Sequence, residues 1–177
     1  MEHQGIRELL ERLANQEITI EEALAELKTL YYEDIGHAKV DHHRTLRNGM
    51  PEVIYGPGKT PEQAASIAHS LAKRGSGVIV TRATKEQFAS VKRLLPDAVF
   101  HETPRLITSS EPSPAAGTRL GRTAVLTAGT ADIAVAEEAA VILEFFGLPI
   151  TRIYDVGVAG LHRLLDKIEE IRSCQVV

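Results

Sequence analysis

The chain has 177 residues, 44% of them hydrophobic and 25% charged, enough apolar material for a buried core and too much for a disordered tail. No run approaches the ~18 consecutive apolar residues of a membrane-spanning helix, and the lone Cys174 excludes an internal disulfide or a cysteine-based zinc site. Lys and Arg number 20 against 24 Asp and Glu, a net charge of -4, the wrong sign for general nucleic-acid binding.

The start, Met1-Glu2-His3-Gln4, lacks the basic-then-apolar pattern of a signal peptide, so a cytoplasmic protein with neither membrane nor nucleic-acid partner is expected. Charge is unevenly spread. Residues 1 to 35 hold nine acidic and three basic side chains, whereas residues 36 to 60 hold two acidic and four basic ones, with His37, His42 and His43 among them. An anionic ligand is first sought in that locally positive segment.

Ile6, Leu9, Leu10 and Leu13 recur at helical spacing, as do Ile20, Ala23, Leu24 and Leu27 after a Thr19-x-x-Glu22 capping box. Residues 1–35 are therefore read as a helical hairpin with a solvated acidic face. From Glu52 the period changes: Val53-Ile54-Tyr55 reads as a strand, Gly56-Pro57-Gly58 as a turn, and Thr60 with Pro61 as the N-cap and first turn of a helix burying Ala64, Ile67, Ala68 and Leu71. A strand at 77–80, a helix from a Thr84-x-x-Gln87 box to Pro96 and a strand at 98–100 complete an α/β module over 36–108, and strands alternating with helices predict a mainly parallel sheet.

Residues 109–117, Ser-Ser-Glu-Pro-Ser-Pro-Ala-Ala-Gly, have linker composition. After them the alternation resumes over 118–177: a strand at 123–128, a helix at 132–146 stopped by Gly147, a strand at 150–154 and a last helix lined by Leu161, Leu164, Leu165, Ile168 and Ile171. Cys174-Gln175-Val176-Val177 reads as the head of a further buried strand, with Cys174 a small core residue, and the second unit is expected to stop about halfway through a doubly wound sheet.

Three segments carry candidate chemistry. Gly129, Thr130, Ala131 and Asp132 lie where a strand enters a helix: free N–H groups favour phosphate, Thr130 offers a hydroxyl, and Asp132 either caps the helix or accepts from a ribose. The next strand-to-helix connection, Asp155 to Arg163, emerges on the same edge of a parallel sheet, with His162 for proton transfer and Arg163 for a phosphate or carboxylate. The third segment, residues 36 to 52, is the densest polar run. If residues 37 to 43 are extended, His37, Lys39, Asp41 and His43 share one face with His42 opposite. No second cluster at ligand spacing supports a His-Asp-His metal site, and no metal is expected. Arg44, Arg47 and Lys59 suit phosphate or carboxylate clamps.

The blocks Lys39-Val40-Asp41-His42-His43-Arg44, Arg47-x-Gly49-x-Pro51-Glu52-Val53-Ile54-Tyr55-Gly56-x-Gly58-Lys59-Thr60, Thr127 to Asp132 and Tyr154 to Arg163 resemble the LarB family, which begins synthesis of the nickel-pincer cofactor of lactate racemase. The latter two blocks also resemble, more loosely, the phosphate loop and Ala-His-Arg segment of the aminoimidazole ribonucleotide carboxylases (PurE). The implied fold is α/β: the helical hairpin, the α/β module, then the first half of a flavodoxin-like, PurE-type three-layer α/β/α domain.

The activity implied by the resemblance is carboxylation of nicotinate adenine dinucleotide at C5 of its pyridinium ring and hydrolysis of its phosphoanhydride, giving pyridinium-3,5-biscarboxylate mononucleotide and AMP. An electron-poor pyridinium does not attack CO2 until a nucleophile adds to the ring and makes an enamine, and the family uses a cysteine thiolate for that addition. That cysteine belongs to a C-terminal portion which Cys174 does not match. The chain made alone is accordingly expected to associate and to release no AMP, whatever is done to Cys174.

The resemblance assigns His162 and Asp41 to catalysis and Arg44, Arg47, Lys59, Thr60, Gly129, Thr130, Ala131, Asp132 and Arg163 to substrate. It implies no tightly bound cofactor, CO2 or bicarbonate as co-substrate, a small-molecule dinucleotide as partner and a homo-oligomer. The alternatives are a PurE-like carboxylase or mutase, which gives no reason for the Asp41 to Thr60 block, and a non-catalytic nucleotide-binding module.

Overall fold

The computed structural model describes residues 2–29, 33–42, 44, 50–109 and 121–177. Its contacts divide the chain into two compact units, Met1–Glu52 and Val53–Val177. The basic segment up to Glu52 thus stands with the helical hairpin, and the sequence on both sides of the 110–120 segment forms one unit.

In the first unit, α1 (Glu2–Ala14) and α2 (Ile20–Thr29) form the hairpin. Its turn is fixed by the capping box: Thr19 N–H donates to the Glu22 carboxylate at 2.8 Å and Glu22 N–H to the Thr19 hydroxyl at 3.1 Å. Leu9 and Ala23 are buried, Arg12 bonds Glu26 across the pair at 3.1 Å, and Leu10, Ile20 and Leu24 of the apolar stripe remain exposed. A two-residue antiparallel ribbon follows, β1 (Glu33–Asp34) with β2 (Lys39–Val40), turning at Gly36 with φ 86°.

The second unit begins with a four-stranded sheet in the order β3-β4-β6-β5, made of β3 (Val53–Tyr55), β4 (Val78–Thr81), β5 (Val99–His101) and β6 (Leu106–Ser109). β3 and β4 are parallel, in register Tyr55 with Thr81, and β5 runs the same way. The prediction of a mainly parallel sheet is corrected by β6, which wedges between β4 and β5 antiparallel to both. The unpredicted β6 begins on residues of the module that were given no element and ends on Ser109, read as linker. Its physical reason is burial: Leu106 and Ile107 are fully covered, as are Val78, Ile79 and Val80 beside them, so a central position suits it better than a surface one.

α3 (Pro61–Lys73) and α4 (Lys85–Leu94) pack on each other, and each starts at a complete capping box, Thr60 with Gln63 and Thr84 with Gln87. Fully buried Ala64 and Ala68 in α3 let the backbones approach. β7 (Thr123–Leu126) and β8 (Ile150–Ile153) form a parallel pair joined by α5 (Ile133–Phe145). Val141 and Phe145 of α5 bury against Ile79 of β4 and Leu106 of β6, with Val53, Ile142 and Phe146 around them. Summed over such side chains, burial at about 25 cal/mol per Å² of apolar surface is the main force joining helix to sheet.

The expected single last helix is two short ones, α6 (Leu161–Leu165) and α7 (Ile168–Arg172), broken at Asp166-Lys167. The closing segment does pair beside β7: Gln175 N–H donates to Arg122 O at 2.8 Å, Ala124 N–H to Val176 O at 2.9 Å, and Thr123 bridges Val176 in parallel. It is not a buried strand, because Val176 and Val177 are 57% and 71% exposed. Cys174 is likewise no core residue; it is half-exposed after α7, its Sγ 3.5 Å from the Glu170 carbonyl. The chain is mixed α/β, and none of its described helices is long and apolar enough to cross a membrane.

Candidate functional site

Because β7 and β8 are parallel, their carboxyl ends open on one edge, and the connections leaving them are laced together by backbone bonds. Val156 N–H donates to Thr127 O and Gly157 N–H to Ala128 O, both at 2.9 Å, while Asp155 N–H donates to the Thr127 hydroxyl at 3.1 Å. This approach requires Gly157: a Cβ there would lie 2.6 Å from Ala128 O. Asp155 sits at φ 59°, a left-handed conformation that Asp tolerates better than most residues. The two segments predicted to share an edge therefore do.

Gly129 is the extended residue before a 3-10 turn, Thr130–Asp132, that leads into α5. Open space surrounds the position of its missing Cβ. Thr130, Ala131 and Asp132 are exposed. The expected capping role of Asp132 is not observed. Its backbone is helical (φ -89°, ψ -7°), whereas a capping side chain needs an extended residue, and that place falls on Gly129, which has no side chain to offer. Neither Gly129 nor Asp132 caps the first-turn N–H groups here with a side-chain hydrogen bond.

His162 is the second residue of α6 and is exposed, with no hydrogen bond from its ring to a described residue. Arg163 is ion-paired with Asp155 through one guanidinium nitrogen. Its side chain lies over Gly160, where a Cβ would meet Arg163 Nε at 2.5 Å. With five N–H donors, Arg163 keeps several for an anion after that pairing.

The other expected substrate residues of this unit lie at the carboxyl end of β3. Gly56 N–H donates to Thr81 O at 2.9 Å, and a Cβ on Gly56 would stand 2.8 Å from that same oxygen. Lys59 Nζ donates back to Tyr55 O at 2.8 Å, and the Thr60 hydroxyl accepts from Gln63 N–H at 3.2 Å. The sequence reading missed the residue that holds this turn. Gln87, 3% exposed, accepts from Thr84 N–H through Oε1 and donates through Nε2 to Gly56 O at 2.8 Å and Lys59 O at 2.9 Å. Its capping role was legible from the Thr84 spacing; the reach to a turn some 30 residues earlier was not.

In the first unit, the backbone N–H of Asp41 donates to the Glu52 carboxylate at 2.6 Å, and buried His42 places Nε2 3.0 Å from Glu33 Oε2. Of residues 37–42, Lys39–Val40 form a strand, with Lys39 outward and Val40 buried. Arg44 is exposed; Arg47 and His43 lie outside the described residues. Among the described residues no group of three or more His, Cys, Asp and Glu side chains is arranged to hold a metal ion.

The most strongly coupled polar group was not anticipated. Arg152 of β8 bonds Glu144 of α5 with two nitrogens, at 2.5 and 2.7 Å, and Glu137 one face-repeat earlier at 3.1 Å; Tyr154 OH donates to Glu137 at 2.9 Å. Arg152 holds the Glu144 carboxyl below its ordinary value, and the Arg152 pKa itself is raised. Burial first, and the Glu137 carboxylate second, push the Tyr154 phenol from 10.0 up to about 12. Burial lowers His101 on β5, against the pull of Glu144 and Glu137. The signal was present as Glu137 and Glu144 seven apart on a helix, facing Arg152 on a strand and Tyr154 just past its end.

The family model described as LarB/PurE-like N-terminal domain matches residues 32–111, which run from β1 through β6. An uncharacterized protein of Methanocaldococcus jannaschii is 31% identical over 189 aligned positions, spanning 98% of this chain and 71% of that protein. The family points to carboxylase-type chemistry. A match over nearly the whole chain, joined to the domain match over the strands that carry the Gly56 to Thr60 turn, makes this chain a member of the LarB/PurE-like family.

Proposed function

We propose that the chain binds nicotinate adenine dinucleotide for carboxylation of its pyridinium ring and hydrolysis of its phosphoanhydride, a reaction that yields pyridinium-3,5-biscarboxylate mononucleotide and AMP and that needs, by family resemblance, a thiolate other than Cys174. The observation that supports this best is the laced edge of β7 and β8, where an uncapped turn of N–H groups at Gly129 to Asp132 stands beside His162 and Arg163. That combination suits a ligand with phosphate, ribose and a proton to move.

In this reading the first-turn N–H groups after Gly129 and the free donors of Arg163 hold phosphate oxygens, the Thr130 hydroxyl and the Asp132 carboxylate bind a ribose, and Arg44, Arg47, Lys59 and Thr60 hold the rest of the substrate. A nucleophile adds to the ring, the resulting enamine carbon attacks CO2, and loss of the C5 proton with expulsion of the nucleophile restores the aromatic ring. His162, open to solvent, accepts that proton or assists water at the phosphoanhydride, with Asp41 as the second catalytic residue. The nucleophile is a thiolate by family resemblance, and Cys174 is not assigned to it.

Calorimetry with nicotinate adenine dinucleotide and, separately, aminoimidazole ribonucleotide tests the reading. The dinucleotide binds more tightly, and Arg44→Ala weakens it by about 1–3 kcal/mol, as for a charge-assisted phosphate contact. In a version of the protein that also carries the thiolate, bicarbonate-dependent AMP release falls in His162→Asn. Preference for the ribonucleotide would overturn the proposal in favour of a purine-type carboxylase, and binding without turnover in that version would leave a nucleotide-binding module.

A further inference from the structure

Around Tyr55, at the end of β3, the fold brings two cations together. Tyr55 pairs in register with Thr81, so Arg82, the next residue along, emerges beside it, and the Arg82 guanidinium carbon lies 5.8 Å from the centre of the Tyr55 ring. Lys59 Nζ is 2.8 Å from the Tyr55 carbonyl. The backbone beyond Arg82 is held by Arg105, whose carbonyl accepts from Ala83 N–H at 2.6 Å. Arg82 and Arg105 are exposed, and neither they nor Lys59 forms an ion pair with a described residue. The acids nearest in sequence are engaged elsewhere: Glu102 with Lys85 at 2.9 Å, and Glu86 with Thr84, whose hydrogen bond holds its carboxyl below the ordinary value.

Like charges collected without a counter-charge are unfavourable unless something anionic joins them. A guanidinium resting on an aromatic face spends none of its N–H groups, so the Arg82 donors stay available at its edge. The Lys59 ammonium spends one of three. Both Arg82 and Arg105 are at φ 50°, a left-handed conformation that strains a non-glycine residue.

We propose that Lys59 and Arg82, set around Tyr55, form a binding site for a phosphoryl or diphosphoryl group. A phosphoryl group offers these two cations more acceptor oxygens than a carboxylate does. The site extends the part given to Lys59 in the proposed function and rests on that reading only for the identity of the ligand, a phosphoryl group of the dinucleotide other than the one given to the Gly129 turn.

Inorganic pyrophosphate, titrated by calorimetry, is the probe. Arg82→Gly and Lys59→Met each weaken it at least tenfold, and Arg7→Gln on the acidic hairpin does not. Glycine accepts the left-handed backbone at position 82, so this variant melts no lower than the parent within error, and its lost affinity is not lost folding. Pyrophosphate that does not bind the parent, or binds both variants as it binds the parent, overturns the site. If both variants lose pyrophosphate and the dinucleotide together, the site holds the substrate. If they lose pyrophosphate alone, the site stands and the assignment of Lys59 to the dinucleotide falls.

Discussion

Replacing Gly157 by alanine adds one methyl group at the place where the loops leaving β7 and β8 meet. That carbon lands 2.6 Å from Ala128 O, 3.2 Å from its carbonyl carbon and 3.4 Å from its Cα, all backbone atoms that cannot swing away. The backbone at Gly157, φ -66° and ψ 165°, is ordinary for alanine, so the penalty is spatial and not conformational. Overpacking of this kind costs about 1–3 kcal/mol, and losing the Gly157 N–H to Ala128 O bond adds about 1 kcal/mol. The narrower unfolded ensemble of alanine returns about 0.4–1 kcal/mol, for a net loss of about 2–3 kcal/mol. Gly129→Ala is the internal control: extended backbone, nothing within 4 Å of the new methyl, and hence a stability equal to the parent or about 0.4–1 kcal/mol greater. Urea unfolding followed by circular dichroism reads both, and a lower midpoint at unchanged slope marks a true stability change. If Gly157→Ala unfolds with the parent, or Gly129→Ala unfolds first, the two loops are not held as described.

Two further outcomes follow from buried polar groups. Gln87→Met keeps the side chain's length but leaves Gly56 O, Lys59 O and Thr84 N–H without their partner, which lowers stability by about 2–4 kcal/mol in thermal melts; a melt like the parent's would mean that the turn does not depend on Gln87. Tyr154 favours its neutral form in the fold. Its contribution to stability is therefore intact below pH 10.0, the unfolded value, and is lost as pH rises towards the folded value of about 12. Spectrophotometric titration shows one late phenol, absent in Tyr154→Phe, whereas tyrosines that all ionise together would contradict the Glu137 contact.

Local signals carried the outline of the fold. Val53 to Tyr55 and Val78 to Thr81 are short apolar runs bounded by glycine, and two Thr boxes marked where α3 and α4 begin. Neighbours in space were harder to see. Leu106 to Ser109 is as good a strand as Val78 to Thr81, but it runs into a Ser-Pro stretch, and only long-range pairing inserts it between β4 and β5. The same limit applied at the site. The meeting of the Gly129 and Asp155 segments followed from parallel strands, whereas the Arg163 pairing with Asp155 and the uncapped Asp132 depend on backbone angles that no spacing encodes.

α5 bears on how this protein comes apart. Its sequence, Ile-Ala-Val-Ala-Glu-Glu-Ala-Ala-Val-Ile-Leu-Glu-Phe, is apolar on more than one side, and it covers both the four-stranded sheet, through Val141 and Phe145, and the β7-β8 pair. A protease that cut within 110–120 would sever one peptide bond and leave this shared layer in place. The two pieces would then stay together through gel filtration and melt in a single step, since neither sheet keeps its cover without the helix that lies against the other.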